Sequence, residues 1–387
     1  MKNKAILGID AYNIRAGGGI THIAEILNHC KPIESGFSKV FIWAPNNTLN
    51  HIVDQEWLHK INNPYLDGSL IKRYFWKLFL SRYEYKKKNI DILFVPGGTY
   101  TGNFRPFVTI NQNLLPFEND EIKRYGFSLS YFKFKLLRYF QNITNKNANG
   151  IIFLTNYAKE IVSKVSKFKL EDTIVIPHGV NSKFILNPNK RIFRTSSEFK
   201  KNPFKIIYIS SIEVYKHQWN VIEAVENLRK MGYNINLKLV GAAGSGSKRL
   251  KKTLSSINNN YISYEGAAPY NEIEKLYQEA DMSIFASSCE TFGMILTESM
   301  SCSLPIAASK MSAIPDVLGN AGLYFDPLNP KDISDKIIMF FESELLRKEF
   351  AIKGYYHVSK FKWEKSSSET FLFLKNILNK YNLEKSC

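Results

Sequence analysis

Short apolar runs rich in β-branched residues alternate with amphipathic helical stretches along the whole chain, and few architectures accept that pattern. Lys4–Asp10, Lys39–Ala44, Asp91–Pro96, Phe107–Asn111, Gly150–Thr155 and Thr173–Pro177 read as strands, with helices such as Ile20–Cys30 and Asn156–Ser166 between them. The scheme starts again with Lys205–Ser211, Ile235–Gly241, Tyr261–Glu265, Met282–Ala286, Pro305–Ala308 and Gly322–Phe325. Strands that are apolar throughout predict parallel sheets covered by helices on both faces, an α/β architecture. An open sheet rarely exceeds roughly ten strands, so two Rossmann-like domains are expected. The 387 residues agree with this, at roughly 150 per domain.

The break between domains is expected near residue 185. Asn181–Pro203 carries Asn, Ser, Pro and six Lys or Arg residues without a helical or strand period, and reads as a linker or surface excursion. The expected division is 1–185, 186–365 and a final helical segment 366–387. That last stretch, from about Trp363 to Leu383, repeats apolar residues at Phe371, Phe373, Leu374, Ile377, Leu378 and Tyr381. It suits packing on either domain.

Several classes are excluded at once. No stretch reaches the roughly 18 uncharged apolar residues of a membrane span, and Met1–Asp10 has too short an apolar core for a signal peptide. Cys30, Cys289, Cys302 and Cys387 are scattered without CxxC or framework spacing, which fits a reducing cytoplasmic setting rather than a disulfide scaffold. The 52 Lys and Arg against 35 Asp and Glu leave a net charge of +17, so an anionic partner is expected.

Three stretches carry candidate chemistry. Gly17, Gly18 and Gly19 follow the first strand and open the next helix, where glycines admit a ligand to the backbone and a helix N-terminus favours an anion. A tight strand-to-helix turn accounts for them equally well. Gly241–Lys248 nearly spells a P-loop, but GxxxxGK[ST] requires Lys at position 247, where this chain has Ser. It is read as a glycine-rich loop facing the space between domains. Ser287–Met300 contains Glu290, Phe292, Gly293, Met294 and Glu298. Glu290 lies on the loop at the carboxyl end of a strand, where open α/β sheets bind ligands. Phe292-Gly293-Met294 would begin a helix whose free N–H groups suit a diphosphate. Two acids at this spacing can reach opposite ends of one nucleotide sugar; the plain alternative is a first-turn acid and a solvated helix acid.

Glu290-x7-Glu298 within SSCETFGMILTESMSCSLPIAAS resembles the E-x7-E signature of the retaining glycosyltransferases of family 4, which have the two-domain GT-B fold. Ile174–Val180 resembles that family's end of the first domain, Leu276–Asp281 its helix before the signature strand, and Phe361–Lys365 the start of a final helix that crosses back to the first domain. The resemblance implies a cleft between the domains. Glu290 would contact the donor hexose, Glu298 the ribose hydroxyls, and the amides near Gly293 the diphosphate, with Lys216 neutralising it. Gly17–Gly19 would face diphosphate and acceptor. The family transfers sugar with retention and usually without a catalytic metal, so no cofactor is expected, and the chain shows no DxD loop or His/Cys cluster.

Two departures stand out. The family commonly has Arg where this chain has Ser211, so one phosphate cation is missing. It often has His after the strand Phe107–Asn111, where Asn111 and Gln112 stand instead; neither amide can shuttle a proton as imidazole can. His178, in Pro177-His178-Gly179, lies near the hinge, where a structural role competes with a catalytic one.

Positive charge concentrates in residues 70–88, with seven Lys or Arg and one Glu among aromatic and aliphatic residues, and again in 121–140. Basic, aromatic-rich amphipathic helices suit an anionic membrane surface, or they pack on their own sheet with a solvated face. No nucleic-acid motif accompanies the charge. The expected protein is a retaining hexosyltransferase moving a sugar, mannose among the candidates, from a nucleotide diphosphate to a glycan or lipid-linked acceptor in surface-polysaccharide synthesis, at the cytoplasmic membrane face. A GT-B nucleotide-sugar epimerase and a non-enzymatic polyanion-binding module remain as alternatives.

Overall fold

The structure, a computed structural model, describes residues 4–166, 170–257 and 260–386. Cys387 and the first three residues of the leader reading lie outside the described residues. Contacts divide the chain into two units, one from the described residues of 1–122, 127–179 and 362–387, the other from those of 123–126 and 180–361.

The first unit holds a parallel sheet of seven strands: β1 (Ala5–Asp10), β2 (Phe37–Trp43), β3 (Leu58–Ile61), β4 (Ile92–Val95), β5 (Phe107–Asn111), β6 (Gly150–Phe153) and β7 (Thr173–Val175). Their spatial order is β3-β2-β1-β4-β5-β6-β7. β4, β5 and β6 are buried along their entire length, as uninterrupted apolar runs require. β3 escaped the sequence reading because its Leu58-His59-Lys60-Ile61 is short, polar and at the sheet edge. Helix starts follow local chemistry: the Thr155 hydroxyl accepts from the Ala158 N–H ahead of Asn156–Val165, and Ser128 does the same for Tyr131 ahead of Leu129–Asn147.

The second unit repeats the arrangement with β8 (Phe204–Ile209), β9 (Ile235–Val240), β10 (Ile262–Tyr264), β11 (Met282–Phe285), β12 (Ile306–Ser309) and β13 (Leu323–Phe325), ordered β10-β9-β8-β11-β12-β13. In each sheet the strand order reverses once, between β1 and β4 and between β8 and β11. Such switch points leave a crevice outside the carboxyl ends of the two strands.

Of the two readings of Asn181–Pro203, a surface excursion is the one observed: the segment belongs to the second unit and is exposed at about half of its residues. Its first unit neighbour ends at Gly179, and Phe184 and Phe199 are fully buried in the second unit. Arg194 pairs with Asp281, and the Arg191 guanidinium donates to the carbonyls of Cys302, Tyr277 and Ala280. The segment has no period because 3-10 turns, aromatic anchors and arginines hold it, not a helix or strand.

The last helix, Trp363–Ser386, packs within the first unit against the helix Gly18–Asn28 and strands β4 and β6. Phe371 meets Phe37 edge-on, and Ser367 donates to the carbonyl of Ile26 at 2.7 Å. A Cβ on Gly150 would come within 2.9 Å of Ile377, so that glycine lets the helix lie flat on β6.

Candidate functional site

The second sheet's switch point is flanked by two loops, Ser210–Lys216 after β8 and Ala286–Gly293 after β11. They are tied together at several points. Ser288 donates its N–H to the Tyr215 carbonyl at 2.8 Å, and its hydroxyl meets His217 Nε2 at 2.8 Å. Lys216, which follows one strand, forms an ion pair with Glu290, which follows the other. Both are largely buried, with side chains 8% and 14% exposed. The Lys216 ammonium also lies over the Phe285 ring, 4.8 Å from its centroid. Ser312 brackets Glu290 from the neighbouring loop: the Glu290 N–H donates to its hydroxyl and that hydroxyl donates to the Glu290 carbonyl, each at 3.0 Å. Ser312 was missed because nothing in its local sequence marks it; its backbone, at φ 58, follows the edge of β12.

Gly293 takes a left-handed conformation, φ 82, and starts the helix Met294–Ser301. No side chain caps that end and no acid sits in its first turn, so its amide dipoles favour an anion. Phe292 is buried against Phe361. Glu298 lies a turn into the helix, 7% exposed. The Tyr270 and Tyr277 hydroxyls donate to its two oxygens, each at 3.4 Å. Burial pushes its carboxyl up to about 7, against the opposing pull of the Lys183 ammonium and the two tyrosines. Lys183 and Tyr270 were not singled out in the sequence, and Tyr277 entered only as part of the Leu276–Asp281 stretch and not as a site residue; 115 residues separate Lys183 from Glu298.

Ser211 is exposed on the first of these loops and its carbonyl accepts from Gln218 Nε2 at 3.0 Å. Gly241 is needed for close approach: a Cβ there would sit 1.8 Å from the Ser210 carbonyl. The near-P-loop thus lies against the β8 loop, with Ser245 bound to Glu213 and Ile212 bridged to Ala243.

In the first unit, Gly17 has φ 61 and open space around its Cα, and Gly18 and Gly19 begin the helix Gly18–Asn28, whose first turn has no acid. His178 is not on that turn. It is buried, with its Nδ1 3.1 Å from Nδ1 of buried His22 and its ring beside Trp363. Burial drives both imidazoles toward the neutral form, His22 down to about 3 and His178 well below the usual range, where His22 adds to the effect. Asn111 ends β5 with its side chain buried and Oδ1 without a hydrogen-bond partner, while Gln112 reaches the Pro96 carbonyl at 3.4 Å. Among the described residues no group of three or more His, Cys, Asp or Glu is placed to hold a metal ion.

Residues 189–357 match the family model described as "Glycosyl transferases group 1". The matched stretch lies within the second unit and is similar to that family. Over 230 residues, 59% of this chain and 60% of the relative, the chain is 26% identical to an uncharacterised glycosyltransferase of Methanocaldococcus jannaschii. Over 110 residues, 28% of this chain and 29% of the relative, it is 31% identical to O-antigen chain mannosyltransferase B of Escherichia coli. The matches therefore span 60% or less of these relatives' length. Among solved structures, Anabaena Alr3699/HepE in complex with UDP and glucose is similar, with TM-score 0.67 and 17% identity over 95% of this chain and 98% of that one. The fold is GT-B, two parallel-sheet α/β domains.

No described helix is long and apolar enough to cross a membrane. The basic stretches nevertheless show their apolar residues: Ile71 is 82% exposed, Phe79 66%, Phe127 97% and Leu129 92%.

Proposed function

We propose that the protein is a retaining glycosyltransferase that moves a hexose from a nucleotide diphosphate to a saccharide or lipid-linked saccharide acceptor in surface-polysaccharide synthesis. The observation that carries this is the Lys216–Glu290 pair at the second switch point, next to the bare N-terminus of Met294–Ser301. Lys216 and the amides following Gly293 would stabilise the departing diphosphate, a role that needs no metal ion. Glu290 would hold the hexose hydroxyls, and Glu298 in its carboxylate form would accept from the ribose hydroxyls. Ser211 and Gly241 would contribute backbone to the same wall.

In the first unit, the Gly17–Gly19 turn, Asn111 and Gln112 would face the acceptor. Transfer breaks the bond between the anomeric carbon and the phosphate oxygen and forms one to the acceptor oxygen on the same face. The acceptor proton passes to the leaving phosphate oxygen, so no imidazole is required at Asn111. The E. coli relative's name supports a polysaccharide role. The exposed apolar residues among the cations of 70–88 and 121–140 support peripheral attachment to an anionic membrane, and the free thiols of Cys30 and Cys302 support a cytoplasmic setting.

A thermal-shift panel of UDP, GDP, ADP and their sugar conjugates, without divalent metal, tests the donor site. A nucleotide at 100 times its dissociation constant should add about 2.7 kcal/mol. Stabilisation by one base, lost in Glu298→Ala, supports the reading; no stabilisation by any nucleotide rejects it.

A further inference from the structure

The switch point of the first sheet carries a second built site. Outside the carboxyl ends of β1 and β4 lies a pocket of about 400 Å³, walled by Tyr12, Asn13, Arg73, Lys77, Leu137 and Phe140. This volume is within the roughly 300–1,000 Å³ of small-molecule sites. Its construction is specific. A Cβ on Gly97 would lie 1.8 Å from Asn13 Oδ1, so the glycine admits Asn13, whose amide donates to the Gly97 carbonyl at 3.2 Å.

Lys77 is the unusual member. It is 3% exposed and sits on a single π-helical turn, Trp76–Leu80, set between the α-helical Leu70–Phe75 and Ser81–Lys87. Such turns re-aim side chains and recur at functional sites. This one sends Trp76 and Lys77 inward while Leu78 and Phe79 stay 59% and 66% exposed. The Lys77 ammonium donates to the Thr99 carbonyl at 2.6 Å and lies 4.1 Å from the Tyr12 ring centroid and 5.1 Å from that of Tyr100. Burying a cation is costly unless it is partnered, and here one carbonyl and two ring faces hold three N–H donors. Asp10, buried at the end of β1, acts on the same charge, and burial pushes its own carboxyl up. Arg73 adds a second cation at the wall, its Nε buried without a hydrogen-bond partner.

Apart from the cations and Asn13, Thr99 and Thr101, the wall is aromatic and aliphatic, and exposed hydrocarbon lies on the same helices: Leu70 is 60% exposed, Leu136 56% and Phe132 58%. A free anion would use the cations and leave this surface wet, whereas a neutral lipid would leave the buried Arg73 Nε without a partner.

We propose that this pocket binds a phosphate carried on a hydrocarbon chain, with the phosphate at Lys77 and Arg73 and the chain along Leu137, Phe140 and the exposed residues of the two basic helices. Naming that ligand the acceptor's lipid phosphate rests on the transferase reading; the binding itself does not.

Titration calorimetry of the full chain with decyl phosphate, decanol and inorganic phosphate tests it, with UDP and GDP binding measured alongside. Decyl phosphate is expected to bind at least tenfold more tightly than either of the others. Lys77→Gln should weaken it at least tenfold and Asp10→Asn should tighten it, opposite changes that a merely structural role would not produce. Leu70→Glu, on the exposed rim, provides a variant with little folding cost and should also weaken binding. Decanol or inorganic phosphate binding as tightly overturns the proposal, as does attachment to anionic vesicles with no binding of monomeric decyl phosphate. If decyl phosphate binds and no nucleotide does, the transferase reading fails while this one stands.

Discussion

Lys216 and Glu290 are 74 residues apart in sequence and form an ion pair with both side chains largely withdrawn from solvent. The pair joins the loops that follow the two strands flanking the second switch point. It is thus both a clasp between loops and the charged centre of the candidate donor site.

Removing the cation should therefore affect stability and activity separately. Lys216→Met is expected to cost about 2 kcal/mol by leaving Glu290 without its charge partner, and Glu290→Gln in the same chain should recover part of that loss. Urea unfolding of the single and double variants reads the coupling. Transfer should fall about 100-fold in Lys216→Met and should not recover in the double variant.

Glu298 gives a pH dependence with a definite sign. Its carboxyl is raised from 4.5 to about 7 in the folded chain, so the folded state holds a proton that the unfolded state releases. Its contribution is complete below pH 4.5 and is lost as pH rises through 7, by about 3 kcal/mol at most. Melting temperatures of wild type and Glu298→Gln should diverge over this window, wild type falling relative to the variant. Nucleotide affinity should move the other way, increasing from pH 6 to pH 8, because only the ionised carboxylate accepts from two hydroxyls.

His22 and His178 predict the opposite slope at acid pH. Burial holds His22 down to about 3, and one charged ring would repel the other at an Nδ1 separation of 3.1 Å. The unfolded chain takes up protons near 6.5, so stability should fall as pH drops from 6.5 toward 3, by about 4 kcal/mol for His22 alone. His22→Phe should flatten this part of the acid-unfolding curve.

Two glycines at positive φ differ in what a side chain would meet: a carbonyl at Gly241 and open space at Gly17. Gly241→Ala would place a Cβ 1.8 Å from the Ser210 carbonyl and push the β8 loop away, costing about 2–3 kcal/mol and weakening nucleotide binding. Gly17→Ala meets open space and bears only the penalty of φ 61, about 1 kcal/mol. Guanidinium unfolding of both variants checks the order.

The alternation of apolar strands and amphipathic helices was enough to specify two parallel α/β domains, because a strand buried on both faces must be apolar at every position while its covering helix needs only one apolar stripe. Where that signal is weak, as in the edge strand Leu58–Ile61 or the aperiodic segment Asn181–Pro203, only packing decides the outcome. The glycine turn at Gly17 and the acid pair Glu290 and Glu298 were equally legible, since each lies within one strand-to-helix connection. Partners were not. Lys216 meets Glu290, Ser312 brackets it, Lys183 and two tyrosines surround Glu298, and His178 turns inward to His22, all across gaps that strand order closes and local sequence does not encode. The same holds for Lys77. In sequence it is one cation of a basic run, and a single π turn over the β1–β4 switch point decides that it faces a pocket.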